Sequence, residues 1–128
     1  MKNDKTAFIT VSPGKKVEFR LVSENEDILK AMQAEVDGYV ETVPDTYGRL
    51  QRLLGTEYPV MLCNDEGLLR NLPRNPVAQA ITGYAPLCGR VVIARTVHTA
   101  DGDLDIAGWP IQEASRLWRR VFHLAEGM

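Results

Sequence analysis

Between Val60 and Arg95 the chain passes through extended, turn and helical signals in quick succession, and no other stretch limits the fold as tightly. Pro59 to Cys63 is an apolar run too short for a stable helix and bounded by turn formers, which predicts an inner strand. Asn64-Asp65-Glu66-Gly67 tolerates tight turns and left-handed φ. It predicts a hairpin into Leu68-Leu69-Arg70, limited by Pro73. Asn75-Pro76 joins a capping side chain to a proline at the first helical position, and Val77, Ala78, Ala80 and Ile81 follow up to a stop at Gly83. β-Branched residues fill Gly89 to Arg95 on both faces, as a central strand requires. Two strands and a helix that close a small sheet are the expected result.

The flanking segments add to that sheet. Ala7–Val11 and Lys16–Val22 are extended, with Val17, Phe19 and Leu21 alternating with Lys16, Glu18 and Arg20. Ser12-Pro13-Gly14-Lys15 between them has the form of a type II turn, with Gly14 at the position that needs φ > 0. Ser23-Glu24-Asn25-Glu26 has the S-x-x-E form of a capping box and predicts a helix start. Ile28, Leu29, Met32 and Val36 then recur at helical spacing, and Gly38 is placed to stop the helix in the left-handed conformation. Tyr39–Val43 reads as a strand ended by Pro44-Asp45. Thr46–Leu54 reads as a marginal helix within a connector running from Pro44 to Glu57. After a polar loop from His98 to Asp103, Pro110–Leu124 returns to helical periodicity, with Ile111, Ala114, Leu117, Trp118, Val121 and Leu124 on one stripe. Antiparallel hairpins mixed with helices give an α+β class: a small mixed sheet, mostly antiparallel, with helices packed on one face. Residues 1–128 are expected to form one domain, with residues 1–22 as an accessory hairpin. Ala7–Val11, which lacks a charged residue, is the expected free edge, open to a homodimer or to a strand from another protein.

Composition excludes several functions. Seventeen acidic residues against fifteen basic ones give a net charge of −2. Nucleic-acid binding would therefore have to rest on local charge asymmetry, and an acidic DNA mimic is disfavoured. No apolar run suits a signal peptide or a membrane span, so a cytoplasmic protein without membrane association is expected. Cys63 and Cys88 fall in or beside predicted sheet segments and read as small buried hydrophobes; His98 and His123 are distant from both, so no metal and no cofactor is expected. Asp101-Gly102-Asp103 invites a calcium reading, but a twelve-residue loop counted from Asp101 ends on Gln112 where a Glu is needed.

No catalytic or cofactor motif occurs. Glu41, Asp65 and Glu66 at one sheet end could serve as acid and base, with Arg74 beside them, although turn composition alone explains Asp65 and Glu66. A basic cluster, Arg116, Arg119 and Arg120, with Arg49 and Arg52 adding to one surface, is the candidate for nucleic-acid contacts. Trp118 and Phe122 read as core.

Four blocks also resemble a known family. Asp37-Gly38-Tyr39-Val40-Glu41, Asn64-Asp65-Glu66-Gly67, Leu72-Pro73-Arg74-Asn75-Pro76-Val77-Ala78 and Gly89-Arg90-Val91-Val92-Ile93-Ala94 are similar, in order and approximate spacing, to the domain-of-unknown-function 3846 type of small protein found in phages and mobile elements. Asp37, where the pattern has Gly, and Arg90, where it has an acidic or amide residue, depart from it. The N-terminal hairpin and the connector read as peculiar to this chain. The resemblance implies a mobile-element setting, an accessory or counter-defence role, and no assigned activity. It makes Glu41, Asn64, Asp65, Glu66, Arg74 and Asn75 the candidate binding residues. Only Glu41 and Arg74 among these lack an evident backbone reason. The leading expectation is a non-enzymatic protein that binds a host or element-encoded protein; nucleic-acid binding and a small carboxylate enzyme are the alternatives.

Overall fold

Strand β5 (Val91–His98) runs through the middle of a seven-stranded antiparallel sheet. The structure, a computed structural model, describes residues 4–56 and 58–128. The connector's last residue, Glu57, and the first three residues lie outside that range. The sheet order is β2 (Val17–Ser23), β1 (Asp4–Val11), β5, β4 (Pro59–Asn64) and β3 (Val40–Val43). Two short strands, β6 (Leu104–Ala107) and β7 (Trp109–Pro110), complete it. Helices α1 (Ile28–Val36), α2 (Arg49–Leu54), α3 (Pro76–Thr82) and α4 (Ile111–Glu126) cover the faces.

The α+β class holds, and every strand pairing is antiparallel. Because side chains alternate along a strand, each inner strand feeds two cores. Ala7, Ile9 and Val11 of β1, Met61 of β4, and Val91 and Ile93 of β5 pack beneath α2, α3 and α4. Phe8, Leu62, Val92 and Ala94 point the other way, onto Ala31, Met32 and Val36 of α1. Three helices thus share one face, whereas α1 takes the opposite one, so the helices are not confined to a single face as expected. Trp118 of α4 stacks on Phe122 at 4.9 Å and donates its indole N–H to Val17 O at 2.9 Å, tying the helix to β2.

β1 is not an edge. It pairs with β2 along its length and with β5 and β7 on its other side, and Ala7 to Ile9 are fully buried. The hairpin is therefore part of the sheet rather than an accessory, and β2 and β3 stand at the two ends of the main strand order. β1 and β5 part beyond Ile9 and Ile93. The segment 104–110 fills the wedge, with β6 on β5 and β7 on β1. Gly108 makes this approach possible, since a Cβ there would lie 2.9 Å from Ala7 O.

Local details differ from expectation for identifiable reasons. In the β1–β2 turn the positive φ falls on Lys15 (φ 70) rather than Gly14, after a bond from Lys15 N to Ser12 O. This is the turn-plus-left-handed-residue form common in hairpins. Ser23 N donates to Glu26 Oε1 at 3.2 Å, as in a capping box, yet α1 starts later. Its cap is Asp27, which accepts from Lys30 N. Leu29 is exposed, and Ala31 takes the inward position. Asp37, at φ 61, ends the helix in place of Gly38. Leu68-Leu69-Arg70 is a run of turns rather than a strand, because Arg70 N bonds to Glu66 O and Leu72 N to Gly67 O. The His98–Asp103 loop joins β5 to β6, two strands, and so lacks the flanking helices of a calcium-binding hand.

Candidate functional site

The motif blocks meet at one corner of the sheet, where they hold one another. Asn64 donates from Nδ2 to Val36 O (2.9 Å) and Asp37 O (3.1 Å), closing the end of α1, and accepts from Glu66 N (2.7 Å). Asn75 donates to Val11 O and Gly89 O, both at 2.9 Å, and accepts from Ala78 N to cap α3. Gly67 lies so near Cys88 that a Cβ would stand 2.8 Å from its carbonyl oxygen. Leu72 fills the space over Gly89 (φ 86). Asn64 and Asn75 are both buried with their amides engaged, which gives each a structural role. The two departures from the pattern also fit. Asp37 is held by Arg70 at 2.9 Å, and Arg90 pairs with Glu35 of α1 at 2.9 Å.

Glu41, Asp65, Glu66 and Arg74 are exposed around this corner. Glu41 is in register with Cys63, and Arg74 bridges to Cys88 through its backbone. Burial, reinforced by the charges of Glu41 and Asp65 and by Cys88, pushes the Cys63 thiol up to about 11, so it is neutral and unreactive near pH 7. Both cysteines are buried and free. Among the described residues no group of three or more His, Cys, Asp or Glu side chains is placed to hold a metal ion, and no helix is long and apolar enough to cross a membrane.

A second surface surrounds α2. Asp45 starts this short helix by accepting from Leu50 N (3.0 Å) and Gln51 N (3.2 Å), and Leu50 and Leu54 bury its inner side. Arg49 and Arg52 are exposed on it, and Arg116, Arg119 and Arg120 are exposed on neighbouring α4. Arg120 reaches the end of α2, donating to Leu53 O at 3.3 Å, while the Arg49 guanidinium lies against Gly83 at the end of α3. Cations at helix C-termini are favourable, which gives these two a structural role as well. Arg116 pairs with Glu113 at 3.6 Å. Tyr47, exposed, lies 5.7 Å from the Arg49 guanidinium. The structure thus brings Arg49, Arg52 and Arg120 together around one helix.

A third feature, which sequence reasoning missed, opens where β5 leaves β1. It is a cleft of about 500 Å³ between the end of α2, the outer half of β5 and the start of α4. Arg95, Thr96 and His98 form one wall, Tyr58 and Glu113 stand at others, and Trp109 closes it. Arg95 is positioned by its Nε–H bond to Gly108 O at 2.8 Å. Tyr58 holds a positive φ of 57, fixed by Thr96 N donating to its carbonyl at 2.9 Å. A bulky residue at positive φ is strained, and such strain gathers at functional sites. Trp109 is 1% exposed, and its indole N–H has no acceptor among the described residues. A buried donor left unpaired costs about 1–3 kcal/mol. No local motif could reveal this cleft, because its residues come from four separate segments.

Residues 5–118 match the model of the family described as Domain of unknown function (DUF3846). The chain belongs to that family. The matched range includes the N-terminal hairpin and the connector. Comparison with curated proteins gave no match. Among solved structures the chain is similar to that of the small RNA methyltransferase HEN1, with a TM-score of 0.54 and 16% identity over 91% of this chain. The chain spans only 16% of that protein's length, and at this identity the likeness is one of fold.

Proposed function

We propose that this member of the DUF3846 family is a non-enzymatic accessory protein of a phage or mobile element that binds single-stranded nucleic acid in the cytoplasm. The arginine layer around α2 carries the reading. Arg49, Arg52, Arg119 and Arg120 place several guanidinium groups on the exposed side of α2 and α4, where the nearby acids Asp45 and Glu113 are engaged with backbone amides and with Arg116. Arginine neutralises phosphates wherever local asymmetry gathers it, whatever the net charge of the chain. Single strands are favoured because Tyr47, Tyr58 and Tyr84 are exposed before, after and beside α2, and bases stack on such rings. Fluorescence anisotropy with labelled single- and double-stranded oligonucleotides tests it. Single strands should bind more tightly at low salt; binding of neither at low salt rejects the reading.

The β3 edge favours a second reading, a host or element-encoded protein partner. Tyr39 and Leu69 are 73% and 87% exposed, and Tyr39 O accepts from Asp65 N, so the aromatic ring and the Leu68-Leu69 turn flank the end of a strand whose outer edge is free. Glu41, Asp65, Glu66 and Arg74 would form the charged rim of such a contact. A partner captured by the wild type and still captured by Leu69→Asp would count against this surface.

A further inference from the structure

We propose that the cleft closed by Trp109 receives one unstacked base of the bound strand; this rests on the reading of the arginine layer as a single-strand track. The first support is position. Gly55 and Thr56 line the cleft and also the groove that carries Arg52, and Arg120 Nη1 would stand 3.2 Å from a Cβ on Gly55. A backbone following Arg52 and Arg120 therefore passes the cleft's mouth.

The second support is the chemistry of the walls. Arg95 carries guanidinium donors beyond the Nε–H that bonds Gly108 O, Glu113 carries a carboxylate that also meets Arg116 at 3.6 Å, and the Thr96 hydroxyl, which donates to Tyr58 O at 3.3 Å, can still accept. A bare phosphate would satisfy Arg95 but face the Glu113 carboxylate. An apolar ligand would cover the Arg95 guanidinium and the Glu113 carboxylate without pairing with either. A nucleobase edge, with acceptors and amino or imino donors side by side, meets both kinds of group. Tyr58, exposed at the lip and held edge-on to His98 at 6.4 Å, offers a ring face for stacking. The volume of about 500 Å³ lies within the ~300–1,000 Å³ usual for small-ligand sites.

The test is the indole N–H region of a nitrogen-15 correlation spectrum of the full chain, which carries two tryptophans. Trp118 donates to Val17 O and serves as internal control. Adding AMP, CMP, GMP or UMP at low salt should move the Trp109 resonance saturably for at least one nucleotide and leave Trp118 in place. Glu113→Gln, a rim change that keeps the fold, should weaken that nucleotide at least ~10-fold or change which one binds. A Trp109 resonance that none of the four moves at millimolar concentration overturns the proposal, even if oligonucleotides bind. Movement with a nucleotide but no oligonucleotide binding instead overturns the arginine track and leaves the cleft as a mononucleotide site.

Discussion

Asn75→Ala should be among the most damaging single substitutions in this protein, although the side chain belongs to no packed apolar cluster. The residue is 0% exposed and connects three elements: it caps α3, holds Val11 O of β1 and holds Gly89 O before β5. Loss of a capping side chain costs about 1 kcal/mol. Each buried carbonyl deprived of its donor costs about 1 kcal/mol or more. The expected loss is therefore about 3 kcal/mol, roughly 10–15 °C in Tm for a domain of this size. Asn75→Asp separates the contributions, since it keeps the capping oxygen but removes both donors and sets a carboxylate against two carbonyls. It should be at least as destabilising. Urea unfolding followed by circular dichroism measures both variants. A loss under ~1 kcal/mol for Asn75→Ala, or full stability in Asn75→Asp, would refute the bridging role.

Gly67→Ala should cost about 2 kcal/mol because its Cβ would meet a backbone oxygen at 2.8 Å, whereas Gly14→Ala, with nothing within 4 Å, should be neutral within ~0.5 kcal/mol by the same urea assay. Because the Cys63 thiol ionises at about 11 when folded, against 9.0 unfolded, the unfolded chain loses its proton first. Stability should therefore fall as pH rises from 9 towards 11, and Cys63→Ala should remove that part of the slope in unfolding curves across this range. The Arg20 hydrogen bond, helped by Ser23 N, holds the Glu26 carboxyl below its usual range. Its contribution is present above pH 4.5 and lost as pH falls through the lowered value; Glu26→Gln should flatten the acid limb of a stability profile, and an unchanged limb would deny the pair any role.

Local signals made the sheet's centre and most helices legible. Asn75-Pro76 gave the start of α3 because a cap and a first-turn proline act within a few residues, and β5 announced itself through β-branched residues on both faces. The errors arose where distant contacts decided the outcome. Nothing within Ala7–Val11 says that β5 and β7 will cover its outer side. Ser23 lost the cap of α1 to Asp27, while Glu26 turned to Arg20 on the adjacent strand. The structural roles of Asn64 and Asn75 were hidden because the carbonyls they serve, Val36 and Val11, are 28 and 64 residues away. The arginines of α4 were legible as a cluster, but their union with α2 depends on helix packing. The Trp109 cleft depends on the parting of β1 and β5, and no segment records it alone.

The salt dependence of oligonucleotide binding tests the central claim most directly. Each phosphate neutralised on a single strand contributes about −0.7 to the slope of log K against log salt. If Arg49, Arg52, Arg119 and Arg120 each meet a phosphate, the slope for the wild type should be about −3. The triple variant Arg52→Gln, Arg119→Gln, Arg120→Gln should retain its fold and bind with a slope near −1. Equal slopes for the two proteins, or a wild type that binds no single strand at low salt, would contradict the arginine layer as the functional surface.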